Sequence, residues 1–453
     1  MMLSDSLFVR LSISLLFLAI LVLSVKNLRL FILVYIALRS LITIFYKVNL
    51  VGGLSVLEFA GFIFPAIVLY HWAAKEKFKV LFPGYLRIYS LVLLWILFSN
   101  LTSIFNYGFR GLESLSSFFR ILNGYSVFMV FPLIFKEQKD IDALINAFLF
   151  STLFPLLQGL LQILFGPGIL GMSTSISGGD QTDFVMYYGL YYKYDGYAWA
   201  ALLGGLLLIY KISKVNSMKS ASNAKSLIYI ALLISFVTLA SITLSRALFI
   251  SLIIIMGFIF IELKRYQKIA FTIAILILIF IAGSFFQTRI KQLLQRSEYE
   301  IGVMRGEVPA DYAFHGRMSL WRTSLKEFNK SPLLQRSIGT RVYVGPHSDY
   351  LQWLFSFGYV GLGLYIFLIV KIFIGCLSKM KKIKRKFSHS DSIAYGHMVI
   401  IGLILWIIEA FIHNPSYYPD YSYMIIGNAA IFLALEISSP KKMKGNLTTE
   451  FIA

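Results

Sequence analysis

Thirteen apolar tracts run along the chain, at 8–25, 30–46, 53–72, 87–105, 117–135, 141–165, 196–212, 226–245, 247–262, 269–285, 348–375, 396–413 and 422–437, with polar punctuation between them. About 20 apolar residues in a helix cross the roughly 30 Å hydrocarbon core of a bilayer, and most of the tracts are near that length. The pattern predicts an all-α polytopic membrane protein with about 12–13 transmembrane helices and one long outer loop containing amphipathic helices. Counting the first two tracts as one re-entrant pair gives the lower number.

Charge sorts into alternate loops. With the tail bearing Lys441, Lys442 and Lys444 in the cytoplasm, the segments 26–29, 73–86, 136–140, 213–225, 263–268 and 376–395 are cytoplasmic too, and they hold the KEKFK, KEQKD, KRYQK and KMKKIKRK runs. The opposite face carries mainly Lys47, Arg110 and Lys193 in its short loops, as the positive-inside rule requires. Three units follow: a bundle over 1–285 with a shorter outer loop at 166–195, a large outer loop over 286–347, and C-terminal crossings with a cytoplasmic tail over 348–453.

Composition sharpens this reading. The chain has 453 residues, 58% hydrophobic and 14% charged, which excludes a soluble globular domain. A net charge of +20 is then flanking charge at the membrane rather than a nucleic-acid surface. The single cysteine, Cys376, excludes an intramolecular disulfide framework, and the six histidines have no metal-ligand spacing, so neither a metal nor a cofactor is expected.

The outer loop at 286–347 concentrates candidate chemistry. It holds ten Lys or Arg against five Asp or Glu. Within it, Met318, Trp321, Leu325 and Phe328 recur at helical spacing, predicting an amphipathic helix at the membrane surface. Gly345-Pro346 then stops the loop, and Ser348 or Asp349 can cap a new helix, so His347 stands at a helix N-terminus. The helix dipole disfavours a second positive charge there and keeps the imidazole neutral, able to accept a proton. Gly358 and Gly361 would permit close approach of a neighbouring helix. Arg246 and Arg120 lie at the outer ends of spans, where an arginine must snorkel or meet an anion. Arg39 and Glu58, inside spans, could pair structurally. The segment 187–194, with Tyr188 and Tyr192, followed by Asp195, suits sugar rings and hydroxyls; an interfacial aromatic belt would have the same composition.

Ser245-Arg246-Ala247, Gly316-Arg317 with Trp321, Ser331-Pro332-Leu333-Leu334 with Ile338-Gly339, and His347-Ser348-x-Tyr350-Leu351 with Gly358 and Gly361 form an ordered set. This set resembles the O-antigen polymerase and O-antigen ligase superfamily of bacterial membrane glycosyltransferases, over about 120 residues. Ser348 stands where family members more often have Asn.

The resemblance implies a multi-pass protein of the inner membrane that moves glycan from undecaprenyl diphosphate to an acceptor hydroxyl on the periplasmic face, without metal or cofactor. His347 would be the base, and Arg246 and Arg317, with Arg341 and Arg120, would bind diphosphate; the aromatic segment's own chemistry, apart from the resemblance, makes Tyr188, Tyr192 and Asp195 the candidates to bind glycan. Its partners would be the undecaprenyl-diphosphate-linked oligosaccharide, the lipid bilayer, a chain-length regulator and a flippase, with no nucleic acid. Polymerase is the favoured activity, with ligase as the alternative. A flippase or other transporter is a further alternative, although the tracts display neither paired repeats nor interrupted helices. A non-catalytic assembly partner would not need the ordered arginine and histidine elements.

The topology is open to direct test. A cysteine replacing Arg305 should react with a membrane-impermeant maleimide from outside, and one replacing Lys384 should not. The reverse labelling would invert the topology and remove the outer-face site.

Overall fold

The computed structural model describes residues 26–45, 55–107, 115–166, 195–217, 223–243, 246–263, 301–309, 317–328, 348–386, 391–412 and 419–435, with the short pieces 19, 22–24, 48, 168–169, 173–177, 184–189, 267–269, 271–273 and 298. Its elements in chain order are α1 (Leu28–Ile44), α2 (Val56–Lys75), α3 (Pro83–Tyr107), α4 (Leu115–Ile134), α5 (Gln138–Phe165), β1 (Ser173–Ser177), β2 (Phe184–Gly189), α6 (Asp195–Ser217), α7 (Asn223–Ser241), α8 (Arg246–Glu262), α9 (Arg317–Phe328), α10 (Asp349–Lys386), α11 (Asp391–Ile412), α12 (Pro419–Ser422) and α13 (Asn428–Ala434). A π-helical turn, Tyr423–Gly427, joins the last two.

Eleven of the thirteen apolar tracts coincide with helices. The tracts at 8–25 and 269–285 fall largely outside the described residues. Among the described residues, six helices are long and apolar enough to cross a membrane, in α3, α4, α5, α6, α10 and α11, and shorter apolar helices lie in α7, α8 and the π-turn with α13. The protein is an all-α polytopic membrane protein.

Two details depart from the sequence reading. The loop at 166–195 contains an antiparallel hairpin, β1 against β2 with Thr174 opposite Tyr187 and Ile176 opposite Val185. Strands of five and six residues lie below the resolution of a membrane-span pattern. Arg39 and Glu58 do not pair. Glu58 instead closes a capping box, accepting from the Ser55 N–H at 2.9 Å and from its hydroxyl at 2.8 Å, while buried Arg39 donates to Tyr35 Oη at 3.3 Å.

Polar side chains tie one end of the bundle together. Arg29 meets Asp140 at 2.5 Å. Lys214 pairs with Asp142 at 2.6 Å and with Asp391 at 3.1 Å. Gln267 donates to Asn216 at 2.9 Å and to Ser226 at 2.8 Å, and Lys379 donates to the Leu435 carbonyl. Five of the six segments assigned to one side of the membrane, 26–29, 136–140, 213–225, 263–268 and 376–395, therefore converge in space. This is the charged end of the bundle, and following each helix from it fixes the polarity of all the others.

The centre of the bundle is α6, which packs against α5, α7, α8 and α11. Its side chains from Ala200 to Ile212 are all buried, so no lipid-facing stripe remains. Small residues allow this crowding. A Cβ on Gly204 would lie 2.3 Å from the Phe236 ring of α7, closer than packed atoms come. Gly204→Val should therefore cost about 1–3 kcal/mol by overpacking, read as a lower thermal midpoint in detergent. Gly257→Ala, which meets open space, should leave the midpoint unchanged or raise it. Equal midpoints for the two variants would show that α6 and α7 are not in tight contact.

Candidate functional site

Because α4 runs toward the charged end, while α7 and α11 run away from it, the start of α4, the start of α8 and the junction into α10 all lie at the opposite end. Arg120 lies in the second turn of α4. Arg246 is the first residue of α8, and Arg317 is the first residue of α9. Asp195 opens α6. Tyr188 is on β2, which rests on α5 and α6. His347, Arg341 and Tyr192 lie outside the described residues. The amphipathic helix at 317–328 is present as α9, and its anchor is Phe328, fully buried against Phe355 and Tyr359 of α10 with ring centroids 6.1 and 5.1 Å away.

The start of α10, immediately after His347, is held by several bonds. Ser348 Oγ donates to the Ala410 carbonyl of α11 at 3.1 Å, and its own carbonyl accepts from the Gln352 N–H at 2.8 Å. Ser348 thus occupies the cap position, while its side chain serves α11. Tyr350 Oη donates to the Ile407 carbonyl at 3.2 Å. Asp349, fully buried, accepts from Tyr365 Oη at 3.0 Å, and Trp406 Nε1 donates to the same Tyr365 oxygen at 2.8 Å.

The Asp349–Tyr365 bond forces a conclusion about α10. In a straight helix the two residues would be about 24 Å apart, at ~1.5 Å per residue. The chain must therefore turn sharply between them, and it does so at Gly358, with φ 68° and ψ −171°, a combination essentially confined to glycine. Across the turn the Trp353 and Tyr365 rings stack at 4.4 Å and 8°. The turn leaves the Phe357 carbonyl without a helical partner, and Trp95 Nε1 of α3 supplies one at 2.8 Å. The piece before Gly358 is thus a short arm, tied to α11 at its start and to α3 at its end; the membrane crossing is the piece after it. The sequence reading of one uninterrupted helix from 348 is corrected here. Gly358 makes the turn by its backbone conformation, and Gly361 makes room for it, since a Cβ there would lie 2.2 Å from Phe357 Cβ and 3.2 Å from Trp95.

The structure adds two features to those legible in the sequence. Arg120, half-buried, lines a small cavity together with Tyr89, Trp353, Tyr365, Trp406 and Ser422, so the arm and α4 share one lining. Glu409, 2% exposed, accepts from Ser251 Oγ of α8 at 2.5 Å. A lone acid in the apolar span of α11 is itself a signal of a polar partner on a neighbouring helix. Glu409 and Ala410 are consecutive, so α8 and the arm of α10 are fastened to adjacent residues of α11.

Residues 229–366 match the family model described as O-antigen ligase. The match supports the O-antigen polymerase and ligase superfamily. It spans under a third of the chain, from within α7 to within α10, and it includes the motifs around Arg246, Arg317 and His347 while leaving out Arg120 and the hairpin. A comparison with curated proteins returns no match. The match supports a glycosyltransferase-like function of the O-antigen ligase or polymerase type in a multi-pass membrane protein.

The turn at Gly358 predicts a specific sensitivity. Gly358→Ala should cost about 1–3 kcal/mol through backbone strain, lowering the thermal midpoint and altering tryptophan emission as Trp95 and Trp353 lose their settings. Gly363→Ala, in the same helix with open space around it, should do neither. Identical behaviour of the two variants would contradict a turn at 358.

Proposed function

We propose that the chain is an O-antigen polymerase. It joins lipid-linked oligosaccharide repeat units on the periplasmic face of the inner membrane by metal-independent glycosyl transfer from undecaprenyl diphosphate. The observation that carries this reading is the fastening of α8, which opens with Arg246, and of the arm that follows His347, to the consecutive residues Glu409 and Ala410. It supports a site in which Arg246 and His347, 101 residues apart in sequence, meet at one end of the bundle.

In the proposed reaction the bond between the anomeric carbon and the diphosphate oxygen breaks, and the acceptor hydroxyl oxygen forms the new glycosidic bond. His347 takes the hydroxyl proton. The electron pair leaves on the diphosphate, whose growing charge is met by Arg246 and Arg317, with Arg341 and Arg120 in support. Guanidinium groups suit this task because their planar fork pairs two phosphate oxygens at once. Tyr188, Tyr192 and Asp195 would line the acceptor path.

The ligase reading shares this chemistry and differs in its acceptor, lipid A-core. The description of the matching family favours it, whereas the aromatic segment 187–194, with Lys193 as its one cation, fits a neutral glycan better than a phosphorylated core.

His347→Ala should abolish transfer from a purified lipid-linked repeat unit while the protein remains inserted and monodisperse. Arg246→Lys and Arg317→Lys keep the charge but lose the fork, so each should slow turnover at least tenfold, the scale of one charge-assisted bond of about 1.5–3 kcal/mol. Full activity in the histidine variant, or in both arginine variants, would defeat the mechanism. A deletion strain should carry single repeat units attached to core. Long lipid-linked polymer left unattached would identify a ligase instead.

A further inference from the structure

At the charged end, two cations stand on the outside of the bundle, where α3 meets α10. Arg87 is exposed in the second turn of α3. Lys371 reaches across from α10, its Nζ 3.4 Å from the Gly84 carbonyl and 5.4 Å and 5.9 Å from the ring centroids of Tyr85 and Phe367. Gly84 and Arg87 are three residues apart and so share a side of α3. Neither cation takes part in an ion pair among the described residues.

Their depth is set by the chain itself. The segment 76–82 is irregular backbone, with Phe78, Val80 and Leu81 exposed, and irregular backbone facing lipid is not tolerated inside the hydrocarbon. The start of α3, and with it Lys371, therefore marks the boundary between headgroups and hydrocarbon. From there Arg87, Leu91, Leu94 and Phe98 recur at spacings of four, three and four, all exposed, as one stripe of α3. At ~1.5 Å per residue the stripe extends about 16 Å below Arg87, the thickness of one hydrocarbon leaflet. Phe367, Val370 and Ile374 of α10 are exposed beside Lys371.

We propose that this seam is a binding site for one anionic phospholipid of the leaflet at the charged end. Arg87 and Lys371 hold the phosphate, and an acyl chain lies along Leu91, Leu94 and Phe98. Two cations without counter-ions among the described residues, placed above an apolar stripe of one leaflet's length, complement an anionic headgroup on a hydrocarbon tail. A soluble anion would gain nothing from the stripe.

The site can be read by native mass spectrometry of the whole protein, released from vesicles of equal phosphatidylglycerol and phosphatidylethanolamine. One phosphatidylglycerol should be retained in preference to phosphatidylethanolamine. The double variant Arg87→Gln/Lys371→Gln should bind it about thirtyfold more weakly, the combined effect of two surface charges. Lys381→Gln/Lys382→Gln, which removes two exposed cations further along α10, should retain it. The proposal is overturned if the wild-type protein shows no preference between the two lipids, a result independent of any variant, or if both double variants lose phosphatidylglycerol equally. Neither readout depends on glycosyl transfer.

Discussion

Inside hydrocarbon no water is available to a backbone N–H or C=O, and every such group must find a partner within the protein. The architecture follows from this constraint. It explains why the apolar tracts become helices, why the β-hairpin is placed beyond the end of α5, and why the one sharp interruption in α10 is compensated. The Phe357 carbonyl freed by the turn at Gly358 is taken by the indole of Trp95, on a helix more than 250 residues away in sequence. Such a bond stabilises by more than its own net value of about 1 kcal/mol, because leaving the carbonyl unpaired would cost about 1–3 kcal/mol.

The same constraint makes α6 the organising helix. Helices in a bilayer gain little from hiding apolar surface, since lipid is as apolar as the neighbouring helix, and they associate through close packing and polar contacts. Both are present in α6. Gly204 lets Phe236 lie against its backbone, and Tyr210, Lys211 and Lys214 near its far end bond to Asp142 and Asn146 of α5. A helix surrounded in this way fixes the relative heights of its neighbours. Those heights set the starts of α8 and α10 at one level.

At that level, polar groups fasten described pieces of the candidate site to α11. Glu409 receives Ser251, the next carbonyl receives Ser348, and Trp406 is joined through Tyr365 to Asp349. Buried networks of this kind have few alternative arrangements, because each unmet member is costly. The arm that follows His347 is thus rigidly tied to the helix that positions α8, a suitable support for groups that must meet a diphosphate and a hydroxyl in one geometry.

The sequence by itself determined which segments enter the membrane, which end of the bundle collects the cations, and which arginine and histidine motifs resemble those of the superfamily. These are properties of composition and of short-range period, and a bilayer reads them locally. Capping followed the same logic: Ser55 and Glu58 lie three residues apart, and their capping box, not a pair with Arg39, was the local solution. Only the tertiary structure decided that α10 turns at Gly358, that Glu409 faces Ser251, and that Arg120 shares a cavity lining with Tyr365 and Trp406. A glycine in a strained conformation has the same letter as one that admits a neighbour. What distinguishes Gly358 from Gly361 is its positive φ, and the carbonyl before it is met by Trp95, brought to that place by packing across the bundle.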